Sequence, residues 1–125
     1  MSPHLLEENL DTVHLESSIL HLILVSHPPD SAASLARGLV EEGLAACVNI
    51  LPGSRSIYRW EDKTCDEEEV LLTIKTAREP IEELVELIAS RHPHECPEVL
   101  VVPVTAGLDR YLKWVEKMSH GEESS

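Results

Sequence analysis

Residues 19–26 read ILHLILVS, a near-continuous aliphatic run of the kind carried by a central buried strand. His27, Pro28 and Pro29 end it. Asp30 then offers an N-cap, and Ala32, Leu35, Ala36, Leu39 and Val40 recur at helical spacing, which predicts an amphipathic helix closed by Gly43 as its C-terminal cap. Residues 44–51 (LAACVNIL) are too few and too β-branched toward their end for another helix, so they read as a strand. Pro52 and Gly53 interrupt it with a bend or bulge, after which 54–60 (SRSIYRW) resume in an exposed, alternating style.

The polar segment 61–69 (EDKTCDEEE) is expected to join that strand to 70–76 (VLLTIKT), where Val70, Leu72 and Ile74 share one face by period two. A long hairpin results. Pro80 at a first helical position, Glu82 and Glu83 at the positive end of the dipole, and the stripe Ile81, Leu84, Val85 and Ile88 predict a second helix. Arg91 and His92 fall in its last turn, and Pro93 stops it. Residues 98–104 (EVLVVPV) form a fourth strand, with Pro103 placing it at an edge or near a bulge. Leu108, Tyr111, Leu112 and Val115 make a third amphipathic helix.

The order β-α-β-β-α-β plus a C-terminal helix is the α+β, ferredoxin-like arrangement, in which two helices cover one face of an antiparallel sheet. It places a single domain at 19–118, with a tail at 1–18 that shows no sustained period and a short acidic tail at 119–125. The other sheet face carries apolar residues and the hairpin extends past the core, so self-association is expected.

Composition then narrows the partners. The chain has 125 residues, enough for one domain, and a formal net charge of -13. That charge repels polyanions and cannot supply counterion-releasing contacts, so nucleic acid and anionic membranes are poor partners. Cys47, Cys65 and Cys96 are odd in number and without CxxC spacing, and the N-terminus has neither the charged nor the apolar region of a signal peptide, which together point to the cytoplasm. No apolar run approaches the roughly 20 residues that span a bilayer.

The residues that carry chemistry are few. No GxGxxG, GxxxxGK[ST], HExxH or GxSxG occurs, and no nucleophile is spaced with a base, so an enzyme is not expected. His92, His94 and Cys96 alternate, and an extended backbone would place them on one side about 6.5 Å apart per pair. Two imidazoles and a thiolate suit copper or zinc, while the same residues also suit a loop in which the imidazoles cap carbonyls and the thiol is half buried. Cys47 sits in an apolar strand as a small hydrophobe, and Cys65 is an exposed thiol at the hairpin tip. The acidic run 66–69 reads as a solvated hairpin edge that could gather a hard cation. All four aromatic residues, Tyr58, Trp60, Tyr111 and Trp114, fall in the hairpin or the last helix. If the hairpin of one subunit reaches the last helix of another, they line an intersubunit cleft with Lys75 and Glu98.

The segments LAACVNILPG (44–53), SIYRW (56–60), EVLLTIKT (69–76), HPHECPE (92–98), Pro103-Val104 and YLKW (111–114) together resemble the CutA divalent-cation tolerance family, from about residue 19 to 118. The resemblance implies a ferredoxin-like homotrimer with hairpins paired between subunits, similar in architecture to PII signalling proteins. It also implies a link to divalent cations, especially copper. Bacterial members with a proposed copper site carry a Cys at the end of the first strand and a His pair before the HP loop. Here those places hold Val25 and Arg91-His92, so only His92 matches. The resemblance thus leaves two functions: a cation-binding or cation-responsive protein, or a PII-like signalling trimer that takes a small molecule or partner at its clefts.

Overall fold

The computed structural model describes residues 12–14 and 20–120. Among these residues nine elements follow one another: β1 (Thr12–His14), β2 (His21–His27), α1 (Ala32–Glu41), β3 (Cys47–Trp60), β4 (Lys63–Thr76), α2 (Ile81–Arg91), β5 (Val99–Pro103), β6 (Ala106–Leu108) and α3 (Asp109–Met118). The main sheet has four strands in the order β3-β4-β2-β5, every pair antiparallel. This is the ferredoxin-like α+β order, with both prolines of the outer strands, Pro52 and Pro103, on edges where a missing amide costs no ladder bond.

Period-two alternation fixes the faces. Ile23 and Val25 of β2 and Val70, Leu72 and Ile74 of β4 are buried and join Leu35 and Leu39 of α1 and Leu84 and Ile88 of α2 in one core. Alternation then leaves Leu22, Leu24 and Leu71 half-buried on the opposite face, beside Leu51 (44% exposed), Leu100 (53%) and Val102 (40%). Among the described residues, no helix covers that side. A smaller core of Leu20, Ala46, Ala77, Leu112 and Val115 seats α3 at the end of the sheet. Ser119 fastens it there, donating to the Val115 carbonyl at 2.5 Å and accepting the Ala77 amide at 2.9 Å.

Three details depart from expectation. α1 starts after Ser31 and not Asp30, and Ser31 makes no side-chain cap; Pro80 is the cap residue of α2 and its first turn begins at Ile81. The C-terminus of α1 does end as expected, because Gly43 adopts φ +70 and a Schellman pair forms, Gly43 N–H to the Val40 carbonyl and Leu44 N–H to that of Leu39. The second departure is the segment 1–18, expected as a tail, in which Thr12–His14 pairs antiparallel with Ala106–Leu108. The remainder of that segment lies outside the described residues, as do 121–125. Third, 61–69 is no connector: Glu61 and Asp62 both take positive φ, closing a two-residue turn, so 63–69 pair with 54–60 as strand.

Candidate functional site

Where the chain leaves α2, Pro93 and Pro97 remove two amide donors, and 92–96 run as successive bends. The extended spacing expected of His92, His94 and Cys96 is therefore not realised. His94 and Cys96 are exposed, whereas His92 is buried at 8% exposure. Its Nδ1 accepts the backbone N–H of His94 at 3.0 Å, and its Nε2 lies 2.6 Å from the Ser26 carbonyl oxygen. An amide only donates, so Nδ1 is the acceptor and Nε2 carries the hydrogen that the carbonyl receives. Both ring nitrogens are thus committed to holding the loop. His92 is an anchor and offers no lone pair to a metal in this arrangement.

The His92 ring stands between two others, with centroids 4.7 Å from His27 and 5.0 Å from His94. His27 is itself buried, 1% exposed, and its Nδ1 donates to the Pro28 carbonyl at 3.0 Å. Burial pushes the His92 pKa below the usual imidazole range, and the charges that His27 and His94 can acquire act in the same direction. The Ser26 carbonyl and the Glu69 carboxylate oppose that shift without reversing it.

Between this loop and the hairpin lies a cavity of about 770 Å³. Ser56, Tyr58 and Trp60 line it from β3, Glu67 and Glu69 from β4, and residues 93–98 from the loop. A β-bulge is what aims these side chains. Leu51 pairs with Leu71 and Ser54 with Glu69, so Pro52 and Gly53 together oppose a single residue, with Gly53 at φ +83. The extra residue exchanges the faces of β3 beyond it, bringing Ser56, Tyr58 and Trp60 to the same side as Glu67 and Cys65.

The acidic run is more specifically used than a solvated edge. Asp66 receives a two-pronged bond from Arg55 (2.8 and 2.6 Å) on the far face, which holds its carboxyl below the ordinary range. Tyr58 donates to Glu67, and that bond raises the phenol pKa. Glu69 is 6% exposed, lines the cavity, and its carboxylate makes no hydrogen bond or ion pair with a described residue. Its face was open to sequence reasoning, since extending the period of Val70, Leu72 and Ile74 places Glu67 and Glu69 on the other side with Leu71, but its burial under the 93–98 loop was not. Nothing local announced His27, whose partner arrives from a distant segment. Cys65 is likewise in β4, opposite Tyr58, and not at the hairpin tip.

The expected cleft is divided within one chain. Tyr58, Trp60 and Glu98 line the cavity. Lys75, Tyr111 and Trp114 belong to the other end of the sheet, where Lys75 pairs in register with Cys47 and its ammonium contacts Asn49 and, at 3.0 Å, Thr73. Tyr111 and Trp114 lie 5.7 Å apart there, and burial, helped by the nearby Cys47 thiol, raises the Tyr111 pKa. The separation is a matter of strand length: Trp60 pairs with Lys63, and Lys63 to Lys75 spans about 40 Å of strand.

Among the described residues, no three His, Cys, Asp or Glu side chains are grouped closely enough to hold a metal ion, and no helix is long and apolar enough to cross a membrane. Comparison with known proteins adds the lineage. The profile of the CutA1 divalent ion tolerance protein family matches residues 21–118. Protein CutA, chloroplastic, of Arabidopsis thaliana is 44% identical over 87 residues, 70% of this chain but 48% of its own length. The divalent-cation tolerance protein CutA of Thermus thermophilus is 39% identical over 97 residues, 77% of this chain and 94% of that one. The chain thus spans nearly all of the bacterial relative and about half of the plant one. Among solved structures, the PII-like protein CutA from Nostoc sp. PCC 7120 in apo form superposes with TM-score 0.73 at 38% identity, over 80% of this chain and 97% of that one. A family profile covering the whole ferredoxin-like sheet, relatives of this identity, and the matching fold lead to one conclusion: the chain belongs to the CutA1 divalent ion tolerance family.

Proposed function

We propose that this protein is a cytoplasmic, homotrimeric divalent-cation tolerance protein, not an enzyme, that meets cations such as copper at the cavity between its hairpin and the 93–98 loop. The observation that carries this reading is the cavity itself, in which exposed His94 and Cys96 stand on the loop opposite the carboxylates of Glu67 and Glu69. Because His92 is committed to the loop, the donors offered are His94 and Cys96, an open pair that suits an exchanging cation better than a resident one. Self-association into a trimer is supported by the face bearing Leu51, Leu100 and Val102, uncovered among the described residues, and by a hairpin whose outer half pairs with itself. Calorimetric titration with copper(II) and zinc(II) tests the cation reading. Binding should be weakened at least tenfold in His94→Ala/Cys96→Ser, and binding unaffected by that pair would reject the site.

A second reading is favoured by the aromatic wall. Tyr58 and Trp60 bound a volume far larger than a metal ion requires. In this reading the trimer is a PII-like signalling protein whose cleft takes a small molecule, with Tyr111, Trp114 and Lys75 of a neighbouring subunit completing it. Ligand binding in metal-free buffer that is lost in Trp60→Ala would separate it from the first.

A further inference from the structure

We infer that β6 is a strand-docking edge that the chain's own residues 12–14 fill in cis, and that the same segment of a second copy docks there in trans. The edge lies outside the cavity, and neither reading given for the cavity bears on it.

The β1–β6 pairing resumes the β2–β5 ladder after an interruption. His21 pairs with Pro103, and the Val104 amide donates to the Leu20 carbonyl at 3.0 Å, so the two segments still run side by side at the end of the main sheet. Beyond it His14 pairs with Ala106, Val13 with Gly107 and Thr12 with Leu108. Between the two ladders one side uses residue 105 alone, whereas the other uses residues 15–19. Five residues against one leave an excess of four on the N-terminal side, so β1 can leave β6 without pulling on β2.

What β6 offers a partner is its backbone. A Cβ added to Gly107 would meet Leu112 Cδ2 at 2.9 Å, so one face of the strand lies flush on α3, where Leu112 is buried. An extended segment satisfies the amides and carbonyls along the edge by main-chain bonding. The ladder that fills it in cis is short: β1 and β6 have three residues each and form a two-stranded sheet apart from the four-stranded one. Two strands alone are marginal in water, so the cis pairing persists chiefly because the segment is tethered. A tether of this length holds the strand at roughly millimolar effective concentration, and a ladder that binds at ~0.1 mM is then filled about tenfold over empty. The occupant in trans is a second copy, because Thr12–His14 is the sequence that fits this edge and every copy gathered by the uncovered sheet face carries it.

The test opens the edge in the full chain and offers it the segment as a peptide. Val13→Pro/His14→Pro removes a ladder donor whichever of the two amides points toward β6, and so empties the edge. The probe is a fluorescein-labelled peptide of residues 9–17 (NLDTVHLES), followed by anisotropy. It should bind the variant saturably, one per chain, and the parent about tenfold more weakly, because the parent's own strand competes. The peptide carrying both prolines should bind neither protein. Amides of residues 106–108 should exchange faster in the variant than in the parent and regain protection when the peptide is bound. Circular dichroism and the melting transition establish that the variant is folded, and Val13→Pro alone is a milder variant with the same expected direction. Equal binding to parent and variant, or protection gained away from 106–108, places the peptide elsewhere and overturns the inference. A folded variant that binds no peptide at millimolar concentration overturns it too. A scrambled peptide of the same composition that binds equally well removes the second copy as the occupant.

Discussion

Gly53 offers a clean measure of what the bulge contributes. It adopts φ +83, and a Cβ placed there would meet no atom within 4 Å. Gly53→Ala therefore introduces no clash, and its whole cost is conformational. The left-handed region costs an L-residue about 1–2 kcal/mol, and the reduced freedom of the unfolded chain returns about 0.4–1 kcal/mol. The expected net loss is about 1 kcal/mol. Gly38 makes the contrast, because it lies inside α1 and its added Cβ would sit at ordinary distance, 3.5 Å, from Arg91 Nη1 and Glu42 Oε2. Gly38→Ala should gain about 0.5–1 kcal/mol from helix propensity. Urea denaturation of both variants at one fixed protein concentration, so that association contributes equally, should separate them by about 1.5–2 kcal/mol with opposite signs. The same change at Gly53 bears on the site: a strand that escapes the strain by losing its bulge turns Tyr58 and Trp60 away from Glu67, which Trp fluorescence would report. A Gly53→Ala protein as stable as the parent, or a destabilised Gly38→Ala, would refute the reasoning.

Three further outcomes are expected. His92 is held neutral by burial, so its folded pKa lies below the unfolded value of about 6.5, and the unfolded chain binds protons that the folded one does not. Its contribution is fully present above pH ~6.5 and is lost as pH falls toward the depressed folded pKa; urea midpoints measured between pH 7.5 and 5 should fall less steeply in His92→Gln. Leu72→Ala removes a fully buried side chain from the central strand β4 and should cost about 2–5 kcal/mol at the urea midpoint. Light scattering at neutral pH should return a trimeric mass, and a monomer would remove both the trimer and its clefts.

Much of the fold was legible because its signals are local. The helix stripes of α1 and α2, the alternation of Val70, Leu72 and Ile74, and the glycine stop at Gly43 each declare an element within a few residues. The outer half of β4, residues 63–69, was missed for an equally physical reason. A run of charges such as DEEE hides strand alternation, and the turn that starts β4 uses Glu61 and Asp62 at positive φ where glycine would have announced it. The candidate site was only half legible. His94, Cys96, Tyr58, Trp60 and Glu98 do share a cavity, but whether His92 is a donor or an anchor depends on the Ser26 carbonyl, 66 positions earlier in the chain. Likewise the aromatic residues fell into two groups, since the length of β4 decides how far apart its ends are.

In the proposed site the loop and hairpin meet a divalent cation through His94 and Cys96. Zinc(II) avoids oxidising the thiol, and its isotherm at pH 7.5 and 5.5, with untreated and thiol-blocked protein, tests whether these two side chains are the donors. Imidazole and thiolate bind metal only when deprotonated, so affinity should fall at least tenfold on acidification and again on blocking. Carboxylates alone would keep their affinity to about pH 4 and ignore the blocking reagent. Zinc binding indifferent to both changes would contradict the assignment.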